Sequence, residues 1–190
     1  MSGLKLLGLL GRAGSGKSAG AEYLEWQHGF KIISFAAPLK RMVRDIWEFS
    51  DDQLYGSTES KERVDPRWNL SPRDCFQRLG QSARTHLGED VWVRALIRTI
   101  RGQDDGKGDR LFVIDDCRYA NEVSAIISWQ LGRVVRIDCP VQDTNKTHSS
   151  HPSETQIDSI DSAFIYDTII NEKTPAFFHA LDKIVKEAWA

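Results

Sequence analysis

Residues 11–18 form the segment that most constrains how this chain can fold. Their sequence, Gly-Arg-Ala-Gly-Ser-Gly-Lys-Ser, fits the pattern G-x-x-x-x-G-K-[ST] of a phosphate-binding loop at every fixed position. A mostly apolar run, residues 4–10, precedes the segment and predicts a buried strand, and residues 19–28 have the composition of a helix. This order lets backbone N–H groups and the positive end of a helix meet at one anion.

The segment therefore predicts a binding site for the phosphates of a nucleotide. Lys17 is expected to reach the β- and γ-phosphates, and the hydroxyl of Ser18 is expected to hold Mg²⁺. The alternative is a glycine- and serine-rich turn with an exposed lysine, which the strand and helix on either side disfavour. The expected nucleotide-binding residues are Ala13, Gly14, Ser15, Gly16, Lys17 and Ser18.

Strand-like and helix-like segments alternate along the rest of the chain. The predicted strands cover residues 30–35, 111–114, 133–137 and 163–170. The predicted helices cover residues 38–47, 71–101 with a break near Gly88, 119–130 and 175–189, while 50–69 and 140–159 are polar and irregular. Such alternation predicts an α/β fold, a three-layer sandwich in which a parallel sheet of about five strands has helices on both faces. Ligands of such sheets bind at the carboxyl ends of the strands.

The charge balance and the cysteine content argue against several classes of protein. The 190 residues carry 25 Lys and Arg against 27 Asp and Glu, a formal net charge of −2, whereas proteins that bind nucleic-acid polymers usually have a basic excess. Three widely spaced cysteines without a C-x-x-C pattern do not suggest disulfides or a cysteine zinc site. No apolar run approaches membrane-spanning length. We therefore expect a cytoplasmic chain with reduced thiols, and neither a membrane nor a nucleic-acid polymer as partner.

Two acidic residues, Asp115 and Asp116, follow the predicted strand 111–114. Beside a phosphate-binding loop, an acid at such a strand end can hold Mg²⁺ directly or through water, although paired aspartates can also simply stabilise a turn. The loop favours the magnesium role for one of the two, without choosing between them. Arg118 could grip a phosphate with its guanidinium, or form a surface ion pair with Glu122 at i+4 spacing.

The helix predicted to begin after Ser71 carries two neighbouring stripes of side chains. The apolar stripe is expected to be buried and consists of Phe76, Leu79, Ala83 and Leu87. The polar stripe, roughly 100° around the helix, consists of Arg73, Gln77, Gln81 and Arg84. The polar stripe could line a cleft for an anion or be an ordinary solvated face.

Other candidates lie in the helix 38–47 and in the two polar segments. Lys40 and Arg44, one helical turn apart, have the same two interpretations as the polar stripe. Trp68 could stack on a nucleobase or pack against its surroundings. The last candidates are His148, His151 and Glu154, and no cysteine accompanies them. A structural zinc is therefore disfavoured, and we expect a loop that contacts phosphate or substrate as a lid.

Beyond the phosphate-binding loop, several blocks follow one another in order: Phe35-Ala36-Ala37-Pro38-Leu39-Lys40, Lys61-Glu62, Trp68, Ser71-Pro72-Arg73, Gln77-Arg78-Leu79-Gly80, Ile114-Asp115-Asp116-Cys117-Arg118-Tyr119-Ala120-Asn121-Glu122, His151-Pro152-Ser153-Glu154 and Ile169-Ile170-Asn171. In this order they resemble the deoxynucleoside monophosphate kinases of tailed bacteriophages and prophages. The resemblance spans nearly the whole chain. One departure is Cys117, where the family commonly has a small aliphatic residue.

The resemblance implies a P-loop NTPase-type domain over residues 1–190, with a helical nucleotide monophosphate-binding region at about 40–105 and a lid loop at about 140–160. It also implies transfer of the γ-phosphate of ATP to a deoxynucleoside 5′-monophosphate, with Mg²⁺ held by Ser18 and Asp115. The implied catalytic residues are Lys17, Asp115 and Arg118, and the implied acceptor-binding residues are Lys40, Trp68, Arg73, Gln77, Asp116, Arg118, His151 and Glu154. The host cytoplasm, for a phage-encoded chain, and a homodimer are further expectations by analogy.

The residue types agree with this chemistry. Two polyanions must be held in line against their repulsion, so Mg²⁺ and several cationic side chains matter more than a base. The attacking oxygen belongs to an ionised phosphate, and no side chain has to remove a proton from it.

Two other functions compete with a deoxynucleoside monophosphate kinase. Animal phosphomevalonate kinases are similar in the phosphate-binding loop and the strand-end acid, but they would have no use for a base-stacking Trp68 or for Gln77. A nucleotide-dependent switch is the second alternative. Guanine switches usually carry an Asn-Lys-x-Asp motif, and Asn145-Lys146-Thr147-His148 lacks its acid. Substrate screening separates all three.

Overall fold

The computed structural model of the protein describes residues 3–103, 110–140 and 155–190. Its strands are β1 (Leu4–Leu10), β2 (Lys31–Ile33), β3 (Arg110–Cys117), β4 (Gly132–Asp138) and β5 (Asp167–Ile170). Its α-helices are α1 (Lys17–His28), α2 (Ala37–Trp47), α3 (Asp51–Tyr55), α4 (Thr58–Glu62), α5 (Pro72–Leu87), α6 (Val91–Gly102), α7 (Ala120–Ile127) and α8 (Ala176–Glu187). Short 3-10 helices cover Gln156–Ser159 and Ser162–Phe164. The chain divides into two compact units, Met1–Ser34 with Ile100–Ala190, and Phe35–Thr99.

The first unit contains a five-stranded parallel sheet in the order β2-β3-β1-β4-β5. Leu7 and Leu9 of β1 belong to a buried core that includes apolar residues of α1 and α8. Gly8 faces the other side, where a Cβ would come within 2.6 Å of Ile126 of α7. Because successive residues of a strand point to opposite faces, helices cover both faces of the sheet. The predicted α/β fold with about five parallel strands is confirmed.

The second unit is helical and is stabilised by local caps. Ser71 begins α5 as predicted, because its Oγ accepts from the N–H of Asp74 (3.1 Å) while the Asp74 carboxylate accepts from the N–H of Ser71 (3.0 Å). Ser50 and Ser57 cap α3 and α4 in the same region of the chain. Residues 50–69, predicted to be irregular, therefore contain two short helices, since single capped turns are too short to show an apolar period.

The predicted apolar stripe of α5 is only partly right, since Ala83 is buried but Phe76 and Leu79 are half-buried. Leu87 is 74% exposed, whereas Cys75, Gly80 and Ala83 are buried. A Cβ at Gly80 would lie 3.1 Å from Leu39 of α2, so α2 approaches α5 across small residues. The buried face is therefore set by where α2 packs, and the last residue of α5 lies outside it.

Two further differences concern the end of the chain. The strand predicted over 163–170 begins only at Asp167, because Asp161 accepts from the N–H of Ala163 (2.9 Å) and starts a 3-10 turn. Of the expected lid, residues 141–154 lie outside the described residues. Among the described helices, none is long and apolar enough to cross a membrane.

Candidate active site

The phosphate-binding loop joins β1 to α1 as its sequence predicts. Lys17 is the first residue of α1, and Gly16 precedes it with φ +103°, a left-handed conformation that glycine adopts without strain. Gly11 has no room for a side chain, since a Cβ there would lie 2.5 Å from the carbonyl oxygen of Ile137. Ala13, Gly14 and Ser18 are exposed. Three residues of the loop are therefore open to solvent at the start of a helix, the kind of position at which anions bind.

Lys17 is buried beneath this loop, with an exposed fraction of 6%. Its Nζ donates to the carbonyl oxygens of Gly11 (2.6 Å) and Arg12 (2.7 Å). The pKa of Lys17 is lowered to about 7, chiefly by burial and next by the positive charge of Arg118, while the charges of Asp115 and Asp116 act in the opposite direction. The ammonium group is therefore poorly solvated, and an anion at the loop would stabilise its charge.

This burial predicts a pH-dependent gain in stability when Lys17 is replaced. The unfolded chain keeps the Lys17 proton up to about pH 10 and the folded chain only to about pH 7, so the wild type gains stability from this group as the pH rises between these values. Without nucleotide, Lys17→Met should raise the melting temperature most at pH 6, and the gain should shrink towards pH 10. Melting curves across this range measure it, and a gain independent of pH would contradict it.

The carboxyl end of β3 lies beside the loop because β3 pairs with β1. Gly8 pairs with Ile114 and Leu10 with Cys117, so the register shifts where β3 carries Asp115 and Asp116. Irregularities of this kind re-aim side chains next to functional sites. Both aspartates act electrostatically on Lys17, and Asp115 has the larger effect. The structure thus brings these acids together with Lys17 and Arg118, in the first unit.

Glu122 has a role that the sequence did not suggest. It is 2% exposed, and its Oε2 accepts from the backbone N–H groups of Arg118 (2.8 Å) and Tyr119 (3.1 Å). The partner considered for Arg118 at the surface is therefore not at the surface, because Glu122 is buried. As the third residue of α7, Glu122 reaches back to the N–H of Tyr119, which is half of a capping box, but Tyr119 is not the Ser or Thr that would mark such a box in the sequence. Glu122 holds the backbone that carries Arg118.

Asn171 is a second residue beside the loop to which its sequence position alone assigned no role. It follows β5, is 6% exposed, and donates from Nδ2 to the carbonyl oxygen of Ser15 (2.9 Å). Its membership of the block Ile169-Ile170-Asn171 was the only signal. The loop is thus attached to the end of the sheet by a buried side-chain amide.

A cleft adjoins the loop at the ends of β4 and β5. Its lining consists of Arg12, Ile137, Asp138, Cys139, Pro140 and Ile170. Arg12 pairs with Asp158, which also accepts from Arg136 (3.5 Å), and Arg136 pairs with Asp138 (3.0 Å). This position at the carboxyl edge of a parallel sheet is where ligands of such folds bind.

The predicted acceptor-binding residues Lys40, Trp68, Arg73 and Gln77 all belong to the second unit. Lys40 of α2 lies over the ring of Tyr55, with its Nζ 4.7 Å from the ring centre. Arg73 and Gln77 are partly buried on α5, and Arg73 pairs with Glu62 of α4 (3.2 Å). The predicted lid residues His148, His151 and Glu154 lie outside the described residues. The binding roles of all these residues remain predictions.

Trp68 is held by a loop that one buried acid organises. Asp65 is 7% exposed and accepts from the backbone N–H of Arg67 (3.0 Å), from its guanidinium and from Gln53 (3.0 Å), which together hold the pKa of its carboxyl far below the usual range. The indole Nε1 of Trp68 donates to the carbonyl of Trp47 (3.0 Å), and the side chain is 42% exposed. With its N–H occupied, Trp68 can offer a ligand its ring face, not a hydrogen bond.

Comparison with known proteins shows the family. No protein-family model matches the chain. A protein of Acanthamoeba polyphaga mimivirus, named "Putative deoxynucleotide monophosphate kinase", is 33% identical over 185 residues, covering 92% of this chain and 92% of that protein. The chain belongs to the deoxynucleotide monophosphate kinase family. It is therefore an enzyme of the kinase class.

Solved structures resemble this family member in fold. TT1252 from Thermus thermophilus is 17% identical with a TM-score of 0.55, over 97% of this chain and 98% of that chain. A dephospho-CoA kinase from Campylobacter jejuni is 15% identical with a TM-score of 0.54, over 97% of each chain. At these identities the likeness concerns the fold alone, and it agrees with the parallel sheet of the kinase described above.

Proposed function

We propose that this kinase transfers the γ-phosphate of ATP to a deoxynucleoside 5′-monophosphate, giving ADP and a deoxynucleoside diphosphate. The observation that carries the proposal is the grouping of Lys17, Asp115, Asp116 and Arg118 around an exposed phosphate-binding loop. The name of the mimivirus relative supports the choice of acceptor. The order of the sequence blocks supports a closer relation to the enzymes of tailed bacteriophages and prophages.

In the proposed reaction, an oxygen of the acceptor's phosphate forms a bond to the γ-phosphorus, and the bond from that phosphorus to the oxygen bridging to the β-phosphate breaks. The amide groups of the loop and Lys17 would hold the phosphates of ATP. Arg118 would stabilise charge on the transferred group. The cleft beside Arg12 has a suitable position for the nucleoside of ATP. No residue has to act as a base, because the attacking oxygen is already ionised.

The residues at the loop fit a magnesium ion. Ser18 is exposed at the start of α1, and Asp115 lies at the end of the neighbouring strand, so both can supply the oxygen ligands that Mg²⁺ prefers. The described residues contain no cluster of three or more metal-binding side chains, which agrees with an ion held largely by substrate phosphates and water. When bound, Mg²⁺ would neutralise charge between the β- and γ-phosphates.

The proposed acceptor-binding residues are Lys40, Trp68, Arg73, Gln77, Asp116 and Arg118, with His151 and Glu154 in the lid. Cationic and amide side chains suit the phosphate and base of a nucleotide. The ring of Trp68 is partly exposed and its N–H is already bonded to Trp47, so its face suits stacking on a base.

A coupled assay of ADP formation tests the proposal directly. Acceptors would be the four common deoxynucleoside monophosphates, the ribonucleoside monophosphates and phosphomevalonate, with a reaction lacking acceptor as the baseline. We expect ATP consumption to be strongly stimulated by deoxynucleoside monophosphates. Turnover of phosphomevalonate alone would assign the chain to that chemistry. Slow hydrolysis that no acceptor accelerates would indicate a nucleotide switch.

Replacement of Trp68 tests the stacking role. Trp68→Ala should raise KM for the deoxynucleoside monophosphate about tenfold while KM for ATP stays the same, because base–aromatic stacking contributes roughly 1–3 kcal/mol. Trp26→Ala is the matched control, since Trp26 is 80% exposed on α1 in the first unit. Steady-state kinetics measures both variants. An unchanged acceptor KM in Trp68→Ala would assign this side chain to packing.

A further inference from the structure

Asn171 is held by hydrogen bonds of its backbone N–H and of both polar atoms of its side-chain amide. Its backbone N–H donates to the carbonyl of Asp138 (2.7 Å), which attaches it to the end of β4. Its Oδ1 accepts from the N–H of Lys173 (2.9 Å). If the side-chain amide were flipped, its NH₂ group would face this N–H, and two donors would oppose each other. The remaining group, Nδ2, donates to the carbonyl of Ser15 (2.9 Å) in a buried contact. The amide is therefore fixed in orientation.

The carbonyl of Ser15 governs the direction of the next N–H group. The peptide between Ser15 and Gly16 is planar, and in a trans peptide the N–H points away from the carbonyl. A carbonyl held by Asn171 therefore turns the N–H of Gly16 to the opposite side. An N–H at the start of α1 is among those that bind the anion in this kind of loop.

Gly16 and Asn171 also match each other in shape. A Cβ at Gly16 would lie 2.2 Å from Nδ2 of Asn171, closer than any side chain allows. The glycine of the motif thus leaves room for the amide, as well as permitting a positive φ. If the amide were absent, the buried carbonyl of Ser15 would lose its hydrogen bond, which is costly, and the peptide could rotate.

We infer that Asn171 is a positioning residue of the phosphate-binding loop, which acts by holding the Ser15 carbonyl so that the following N–H is presented to the triphosphate of the donor nucleotide. This inference rests on the proposed function, since it takes the loop to bind the phosphates of ATP. It predicts that the loss of Asn171 affects the donor and leaves the acceptor unaffected.

Two substitutions of Asn171 remove its hydrogen bond to the Ser15 carbonyl in different ways. Asn171→Asp keeps the size of the side chain and an oxygen for the N–H of Lys173, but it places an acceptor against the Ser15 carbonyl. Asn171→Ala removes the donor without adding charge. Gln130→Glu, at an exposed position, is the control for the change of charge in Asn171→Asp.

Calorimetric titration with ATP and with inorganic tripolyphosphate is the decisive measurement. We expect the Kd of both ligands to rise about tenfold in both Asn171 variants and to stay the same in Gln130→Glu, because a hydrogen bond to a buried carbonyl is lost. In the coupled assay, KM for ATP should rise by a similar factor, while kcat at saturating ATP and KM for the acceptor should change less than about threefold.

Wild-type Kd values for ATP and tripolyphosphate in either folded variant would overturn the inference. So would a lower melting temperature with reduced kcat and an unchanged KM for ATP, which is the signature of a purely structural residue. If Asn171→Ala does not fold, Asn171→Ser, which also removes the amide group without adding charge, takes its place. If the wild type itself binds neither ATP nor tripolyphosphate, the proposed function fails, and the inference fails with it.

Discussion

Replacing Lys17 with alanine should leave the protein folded but lower kcat/KM for phosphoryl transfer at least about a hundredfold. Removal of a single group that stabilises charge in a transition state costs about 10²–10³ in rate. Lys17 is held inside the loop by the carbonyls of Gly11 and Arg12, so it needs little rearrangement to meet a phosphate. Its poorly solvated ammonium makes each interaction with an anion stronger than it would be in water.

The control for this variant is Lys31→Ala. Lys31 is exposed at the start of β2, and its substitution removes the same charge from the same unit. The coupled assay gives the rates, and circular dichroism and melting curves show that Lys17→Ala is folded. Wild-type turnover by folded Lys17→Ala would remove the phosphate-binding loop from the mechanism.

Arg118→Ala should lower kcat by about 10³ or more, in the range known for arginines that stabilise a phosphoryl-transfer transition state. The backbone N–H of Arg118 donates to the buried carboxylate of Glu122. The guanidinium charge of Arg118 acts electrostatically on Lys17 and lowers its pKa. Arg118→Lys should recover only part of the rate, since an ammonium group cannot make the two parallel hydrogen bonds of a guanidinium.

Arg101→Ala is the control for Arg118→Ala, because Arg101 is exposed in the last turn of α6. Rapid-quench kinetics under single-turnover conditions separates the chemical step from product release. A change of less than about threefold in Arg118→Ala would return this arginine to a structural role.

The loop and its strand and helix were predictable because their signals are local. Gly16 and Lys17 lie next to each other in sequence and also at the start of α1, so the motif describes the site directly. The five strands were found from apolar runs, although β5 proved shorter because a side-chain cap begins a 3-10 turn before it. The short helices α3 and α4 escaped prediction since their signal is a cap and not a period.

The arrangement of side chains around the loop was harder to predict from the sequence. Asp115 and Arg118 were predicted from their position after an apolar run, but the register shift at the aspartates was not. It treated Glu122 as a surface partner, whereas the carboxylate is buried against backbone N–H groups. Whether a side chain is buried depends on which elements pack together, and the sequence does not state this directly. Leu87 was predicted to be buried but is exposed, because α2 packs elsewhere on α5.

The sequence by itself predicted a phosphate-binding loop at the start of the first helix and determined the parallel α/β fold, because neighbouring residues create both the loop and the helix end. The tertiary structure decided how that loop is supported. Asn171 meets Ser15 across 156 positions of sequence, and β3 brings Asp115 to Lys17 only by pairing with β1. Such contacts form when strands align in the sheet, and no local pattern of residues encodes them.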